Sequence, residues 1–403
     1  MTPFDLLPRA QALAPKLTAI RRDLHRHPEL GFQEHRTAGI VEAHLRGLGL
    51  EPTTGVGRTG VVVDIAGGDG PTVAVRADMD ALPIHEDATH DYRSTTDGVM
   101  HACGHDAHTA GLLGTAELLV AARDAGRLPG TARLLFQPCE ETIDDEGKSG
   151  ATRMLEDGAL EGVSAVTGLH VGGNLPSGKF FVAPGPIMGG GAEIVVEVTG
   201  RSAHAALPHE GIDAIVLAAQ GILGVQTAVS RRISPMAQGV VSFGHIEGGS
   251  APNVLADHVR LHGTLRYFDE GVRDTLMEVV RGAFEGLRSQ GGGALVDFRP
   301  GYPPVVNDPA ATEVVGQALT AEFGPDAVWP MPPVLLAEDF GFLARAVPGV
   351  FFWLGAAPLE PRQHHHPRFD IDESVLPLGA TALARAALAL LSHVASTSSP
   401  STP

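Results

Sequence analysis

The sequence predicts an α/β protein in two parts. A domain built on a layered α/β sheet is split in sequence between 1–185 and 299–403, and an α+β domain is inserted at 186–298. Three observations predict this. Short buried-strand runs alternate with helical spacing in the first part, the texture changes to strict two-residue alternation after Pro184-Gly185-Pro186, and α/β texture resumes near 299.

The elements follow in order. Leu13, Leu17, Ile20 and Leu24 recur at helical steps, so 9–26 is a helix. His27-Pro28 ends it, because the residue before proline is pushed out of the α region. A second helix covers 35–48 and closes at Gly49. Val61–Ile65, Thr72–Arg76, Arg133–Phe136 and Ala165–Leu169 are apolar runs that suit buried strands, with a helix over 107–124 between them. In the insertion, Glu193–Val198 and His258–Arg266 alternate as strands of a sheet with one wet face. Helices occupy 211–230 and 269–288; the second starts at Asp269-Glu270 and stops at Gly291, as the helix dipole and a C-terminal glycine favour. Val350–Leu354 is a late strand and 373–393 the last helix, followed by a Ser/Thr/Pro tail from Ser396 that reads as disordered.

Composition narrows the function. The chain has 403 residues, 29 Lys+Arg against 47 Asp+Glu, and a formal charge of −18. That balance argues against a nucleic-acid or anionic-membrane partner, though not against a small anionic substrate held by local charge. Two cysteines cannot build a disulfide framework. Met1–Ala14 lacks a signal-peptide layout, and no uncharged apolar run reaches the ~18 residues of a membrane span. The expected compartment is the reducing cytoplasm. The 19 histidines stand out.

The densest polar cluster is His101-Ala102-Cys103-Gly104-His105-Asp106-Ala107-His108, in a loop just before a helix. Thiolate and imidazole two residues apart across a glycine can converge on a zinc-like ion. A nucleophilic Cys–His pair is a second reading and a histidine-rich surface loop a third; neighbouring acids raise a thiol's pKa and count against the nucleophile. Glu140-Glu141 follow a buried strand, where one carboxylate can bind metal and the other act as general base. A solvated acidic loop is the alternative, and Asp144, Asp145 and Glu146 resemble one. Asp78 and Asp80 close another strand, where carboxylates can orient a metal ligand from behind. His170 ends a further strand, and His364-His365-His366-Pro367 lies in a late loop. One shared two-metal hydrolytic site accounts for all of them most economically.

These segments, with Arg22–Leu30, Arg76–Pro83, Gly200–Ala205, Ala251–Val254 and Gly263–Arg266, resemble the dinuclear-metal aminoacylase and carboxypeptidase family. Within it, the chain is most similar to the hippurate hydrolases, N-acyl-amino-acid amidohydrolases and plant auxin-conjugate hydrolases. The resemblance runs from about Ile20 to Leu378. It implies two divalent metal ions (Zn, Mn, Co or Ni) held by Cys103, His105, Glu141, His170 and His365, with Cys103 bridging. Glu140 is then the general base, and Asp80 supports the ligands from behind. The insertion becomes a lid and dimerisation domain whose His204, Asn253 and Arg266 meet the scissile carbonyl and the substrate carboxylate, His204 from its own chain or from a homodimer partner. Two features depart from the pattern: Cys139 stands where alanine is usual, and the run of three histidines leaves the last ligand ambiguous by one residue.

The expected activity is hydrolysis of the amide bond of small N-acyl or N-aroyl amino acids. A dipeptidase or exopeptidase is a close rival with the same chemistry. A structural metal-binding interaction protein is the rival from another class; the paired acids speak against it, since structural zinc sites use four protein ligands and keep no open position.

Overall fold

A computed structural model describes residues 5–398. They form two compact units, 5–187 with 306–332 and 339–398, and 188–305 with 333–338.

In the larger unit, buried β-branched and aromatic runs assemble an eight-stranded sheet. Its order is Thr53–Val56, Gly60–Ala66, Thr131–Gln137, Thr72–Asp78, Val163–Gly172, Gly349–Gly355, Phe180–Val182 and Val328–Pro330. Four adjacent central strands, from Thr131–Gln137 to Gly349–Gly355, run parallel. Val73, Val75, Leu134 and Phe136 are fully buried, as befits strands covered on both faces. Helices Leu7–Arg26, His105–Asp124 and Leu376–Ser398 pack on one another and enclose that core.

The first helix ends at Arg26, as His27-Pro28 requires. The last runs beyond the expected 393, to Ser398. Ser396 and Thr397 donate their hydroxyls back to the His393 carbonyl at 2.6 and 3.2 Å, so polar residues continue the helix instead of ending it. Residues 399–403 of the expected disordered tail lie outside the described residues. Glu373–Thr397 and Ala214–Arg232 are long and apolar enough to cross a membrane by length and composition, although neither is an uncharged run of the expected ~18 residues. The first is 72% buried inside the protein and serves as a core helix; the second is 28% buried.

The smaller unit is an antiparallel sheet in the order Gly293–Pro300, Gly190–Thr199, His258–Tyr267, Gly239–Gly248. Ile194, Val196 and Val198 belong to a core shared with helices Ala214–Arg232 and Glu270–Glu285. Both helices are capped by aspartate: Asp213 accepts from the Ile215 and Val216 amides, Asp269 from Val272. Gly221 lets the first helix approach the second closely, since a Cβ there would lie 2.3 Å from the buried Phe284 ring. Gly221→Ala is therefore expected to destabilise this unit by ~1–3 kcal/mol. Thermal unfolding followed by circular dichroism checks this, and an unchanged transition would refute it.

Candidate active site

Three neighbouring parallel strands deliver polar side chains at their carboxyl ends, where open α/β sheets place their chemistry. Thr72–Asp78 leads to Asp78 and Asp80, Thr131–Gln137 to Glu140 and Glu141, and Val163–Gly172 carries His170. Helix His105–Asp124 starts among them. Its N-cap, Gly104, has φ 91°, and a Cβ there would sit 2.4 Å from Val171 Cγ2, so only glycine turns the chain from Cys103 into His105.

Potential ligand atoms lie within 4.8 Å of one another in three overlapping groups: Cys103, His105 and His170; Cys103, Glu141 and His365; His105, Glu140 and Glu141. Cys103 Sγ is 3.5 Å from His170 Nε2, and Glu141 Oε1 is 3.3 Å from His365 Nε2 and 3.9 Å from His105 Nε2. All six residues are thus brought together. Of the histidine run, His364 donates from Nε2 to the Val171 carbonyl at 2.9 Å, while His365 turns at φ 65° towards Glu141.

Hydrogen bonds fix which nitrogen each imidazole offers. His105 donates from Nδ1 to the Asp80 carbonyl (3.0 Å) and lies 3.2 Å from Asp80 Oδ1, which leaves Nε2 facing the cluster. Asp80 Oδ2 accepts from the Glu141 amide at 3.0 Å, so one carboxylate positions two of the donors. His170 directs Nδ1 to the Val171 carbonyl at 2.8 Å and stacks on Trp353 with centroids 4.4 Å apart. His108 is different. Its Nδ1 donates to Asp78 at 2.6 Å and its Nε2 accepts from the Val171 amide at 2.9 Å, so both nitrogens are engaged.

The field here calls for cations. Burial works against a charged His105, yet Asp78, Asp80 and Glu141 outweigh it and push its pKa up to about 10. Burial, reinforced by Glu141, Glu140 and Asp78, holds the Cys103 thiol well above its usual range. Burial and the neighbouring His108 and His364 keep His170 neutral, with a lone pair to give. Among the described residues, His105 Nε2 and Glu141 Oε1 are buried with no hydrogen-bond partner. A divalent ion fits this set: it would satisfy both orphaned atoms, offset the carboxylates and deprotonate the thiol.

Comparison with known proteins agrees with this chemistry. A model of peptidase family M20/M25/M40 matches residues 74–389. The chain belongs to that family. Membership makes it an enzyme, a metal-dependent amidohydrolase. Among M20 relatives, N-acetyl-L-cysteine deacetylase of Bacillus subtilis is 40% identical over 372 residues, 90% of this chain and 85% of that protein. Thermostable carboxypeptidase 2 of Saccharolobus solfataricus is 39% identical over 378 residues, 92% of this chain and 94% of that protein. The solved YXEP protein of Bacillus subtilis, described as a dinuclear metal binding M20 peptidase, is 35% identical with a TM-score of 0.84, covering 95% of this chain and 99% of its own.

His204, Asn253 and Arg266 all lie in the smaller unit. His204 and Asn253 are neighbours there: Ala205 donates its amide to the Asn253 carbonyl at 3.0 Å, and His204 pairs with Val254 in a β-bridge. Arg266 lies on strand His258–Tyr267. Cys139 does not continue an extended strand, which ends at Gln137; at φ 47° it turns, buried, with Sγ 3.4 Å from the Thr142 carbonyl. Strict alternation with Glu140 therefore does not hold at this turn of the M20 chain.

The sequence reading missed Asp339 altogether. It accepts from Arg76 Nη2 (2.9 Å), Gln137 Nε2 (2.8 and 2.9 Å) and the Ala151 amide (3.0 Å), and its own amide points at Glu140 Oε1 from 3.4 Å. Arg76→Met would leave Asp78 and Asp339 buried without their guanidinium. The expected cost is ~3–5 kcal/mol in urea unfolding, against much less for a surface arginine. Equal costs at the two positions would show that Arg76 is not the anchor.

Proposed function

We propose that the protein hydrolyses the amide bond of N-acyl or N-aroyl amino acids, hippurate among them, at a centre of two divalent metal ions drawn from Zn, Mn, Co or Ni. The observation that carries this reading is the convergence of Cys103, His105, Glu141, His170 and His365 around orphaned donor atoms, with a sixth group, Glu140, buried beside them. Cys103, His105, Glu141, His170 and His365 would hold the ions. When bound, the metals polarise the scissile carbonyl and lower the pKa of the attacking water from ~16 towards ~7.

The chain's own groups do the rest. Glu140 takes a proton from the water on a carboxylate oxygen and returns it to the departing amine nitrogen. The Asp339 amide, 3.4 Å from Glu140 Oε1, steadies that oxygen. Asp80 holds His105 and Glu141 in the orientation needed for binding. In the smaller unit, acting as lid and dimerisation domain, His204 and Asn253 are assigned to the scissile carbonyl and Arg266 to the substrate carboxylate. A homodimer is supported by the half-open helix Ala214–Arg232, where Ile215, Val216 and Leu223 are 46%, 50% and 67% exposed. Two unpaired buried cysteines suit a reducing cytoplasm.

The deacetylase relative favours an N-acyl amino acid as substrate. The Saccharolobus relative favours a second reading, a carboxypeptidase on the same centre. Release of free amino acid from hippurate, N-acetylcysteine and dipeptides, with and without chelator, separates them. Activity lost to chelator, restored by metal and greatest on N-acyl substrates is expected; greatest activity on dipeptides would favour the second reading.

Two further outcomes test the roles. Glu140→Gln is expected to lower activity by ~10²–10⁴-fold with metal content unchanged, whereas Glu141→Gln lowers metal content. The reverse pattern would exchange the two assignments. Mixing inactive Glu140→Gln and His204→Ala chains is expected to restore activity in hybrid dimers; no recovery after verified subunit exchange would place His204 in its own chain's reaction.

A further inference from the structure

The larger unit gathers a second set of donors that uses none of the residues above. Ligand atoms of His25, Glu86 and His90 all lie within 4.8 Å of one another. Both imidazoles converge on a single oxygen: His25 Nε2 is 3.2 Å and His90 Nε2 3.1 Å from Glu86 Oε1. Each donor is locked from behind. His25 Nδ1 is 2.8 Å from Asp106 Oδ2, which Arg21 Nε grips at 2.8 Å. His90 stacks on Tyr92 with centroids 3.8 Å apart, and the Tyr92 hydroxyl donates to Asp370 at 2.7 Å. Glu86 Oε2 accepts from the Ser94 amide at 2.6 Å. An imidazole backed by a carboxylate and facing further donors is how proteins orient a metal ligand.

Hydrogen bonding accounts for His25, whose Nε2 bonds Glu86 Oε1 at 3.2 Å, but not for His90. Among the described residues, both ring nitrogens of His90 are buried without a hydrogen bond of usable geometry, the 3.1 Å approach to Glu86 included. Near His25, with ring centroids 6.3 Å apart, His101 is 1% exposed and neither of its ring nitrogens has a hydrogen-bond partner. The covered, unpartnered ring nitrogens of His90 beside a carboxylate call for something that accepts lone pairs.

There is also a way in. His90 lines a cleft of about 940 Å³ whose walls carry five carboxylates, including Glu360, Asp370 and Asp372, against two guanidiniums. Most of these carboxylates are ion-paired, Asp87 with Arg368, Glu360 with Arg362, Asp370 with Arg21 and Glu373 with Arg22, so the cleft supplies access to His90 rather than a strong field. Glu86 and His90 sit on the segment 83–99, which has no helix or strand, while His25 belongs to helix Leu7–Arg26.

We propose that His25, Glu86 and His90 form a further divalent-cation site, whose two-imidazole, one-carboxylate set suits zinc. The ion clips the irregular segment to the first helix and so braces the chain between Asp80 and Cys103. Closing a long irregular segment is where such a clip stabilises most.

The test is elemental analysis of the whole protein, stripped with chelator, refilled with Zn²⁺ or Co²⁺ and passed into metal-free buffer. His90→Asn and Glu86→Gln are each expected to hold about one equivalent per chain less than the wild type, because metal content follows ligand count. Glu141→Gln is expected to keep that equivalent. In the Co²⁺ protein the equivalent lost carries d–d absorption without a thiolate-to-cobalt charge-transfer band, since Cys103 is no part of the set. Circular dichroism verifies folding; His90 lies on an irregular, partly exposed segment, so His90→Asn decides alone if Glu86→Gln does not fold. Wild-type metal content in the folded variants, or loss of the charge-transfer band along with the missing equivalent, would overturn the proposal.

Discussion

Arg76 lies inside strand Thr72–Asp78, 1% exposed, and two buried carboxylates share it. Nη1 is 2.7 Å from Asp78 Oδ2, Nη2 is 2.9 Å from Asp339 Oδ1, and Nε donates to Gln137 Oε1 at 2.9 Å. A planar fork of fixed donors can hold three partners on two strands and a loop at once, which an ammonium cannot. From there the order propagates outward. Asp78 holds His108, His108 accepts from the Val171 amide beside His170, and Asp339 places its amide on Glu140. Burial opposes ionisation of Asp78, but His105, Arg76 and His108 outweigh it and hold its carboxyl well below the usual range. Glu140 and the histidines are thus positioned by a buried ionic network.

How legible this was depended on distance along the chain. The donors themselves are close in sequence to strand ends, and strand ends are readable: Glu140 and Glu141 follow the run Leu134–Phe136, and His170 follows Ala165–Leu169. Cys103 and His105 announced themselves by spacing across Gly104. Asp339 carried no such sign, because a Glu-Asp pair in a loop is ordinary; its meaning comes from Arg76, 263 residues away. The conformation at Cys139 was equally hidden. A period-two argument presumes an extended chain, and φ 47° two residues past the strand removes the presumption. His364 and His365 were separable only once the Val171 carbonyl was seen to claim the first.

A formal charge of −18 would seem a poor start for binding anionic substrates. Local arrangement reverses it. Asp78, Asp80 and Glu141 outweigh burial so strongly that the His105 pKa is pushed up to about 10 when only protons compete. The same field that favours a proton there favours a divalent cation far more, because the carboxylates and the thiol then become ligands and cease to be merely neighbours. Divalent cations gathered by the acids would give the site a local positive potential within an acidic chain.

That dependence ties chemistry to stability. Buried atoms without partners, such as His105 Nε2 and Glu141 Oε1, destabilise the larger unit until an ion satisfies them, so binding free energy becomes folding free energy by mass action. The smaller unit also has buried atoms without a hydrogen-bond partner, Glu197 Oε2 and Arg260 Nε, but each meets an opposite charge. Its core of Ile194, Val196, Leu261, Leu276 and Phe284 is apolar, and its charged face closes in cross-strand pairs, Glu193 with His262 and Glu197 with Arg260. The larger unit thus leaves unpartnered atoms where metal donors converge, while those of the smaller unit meet opposite charge on its own sheet.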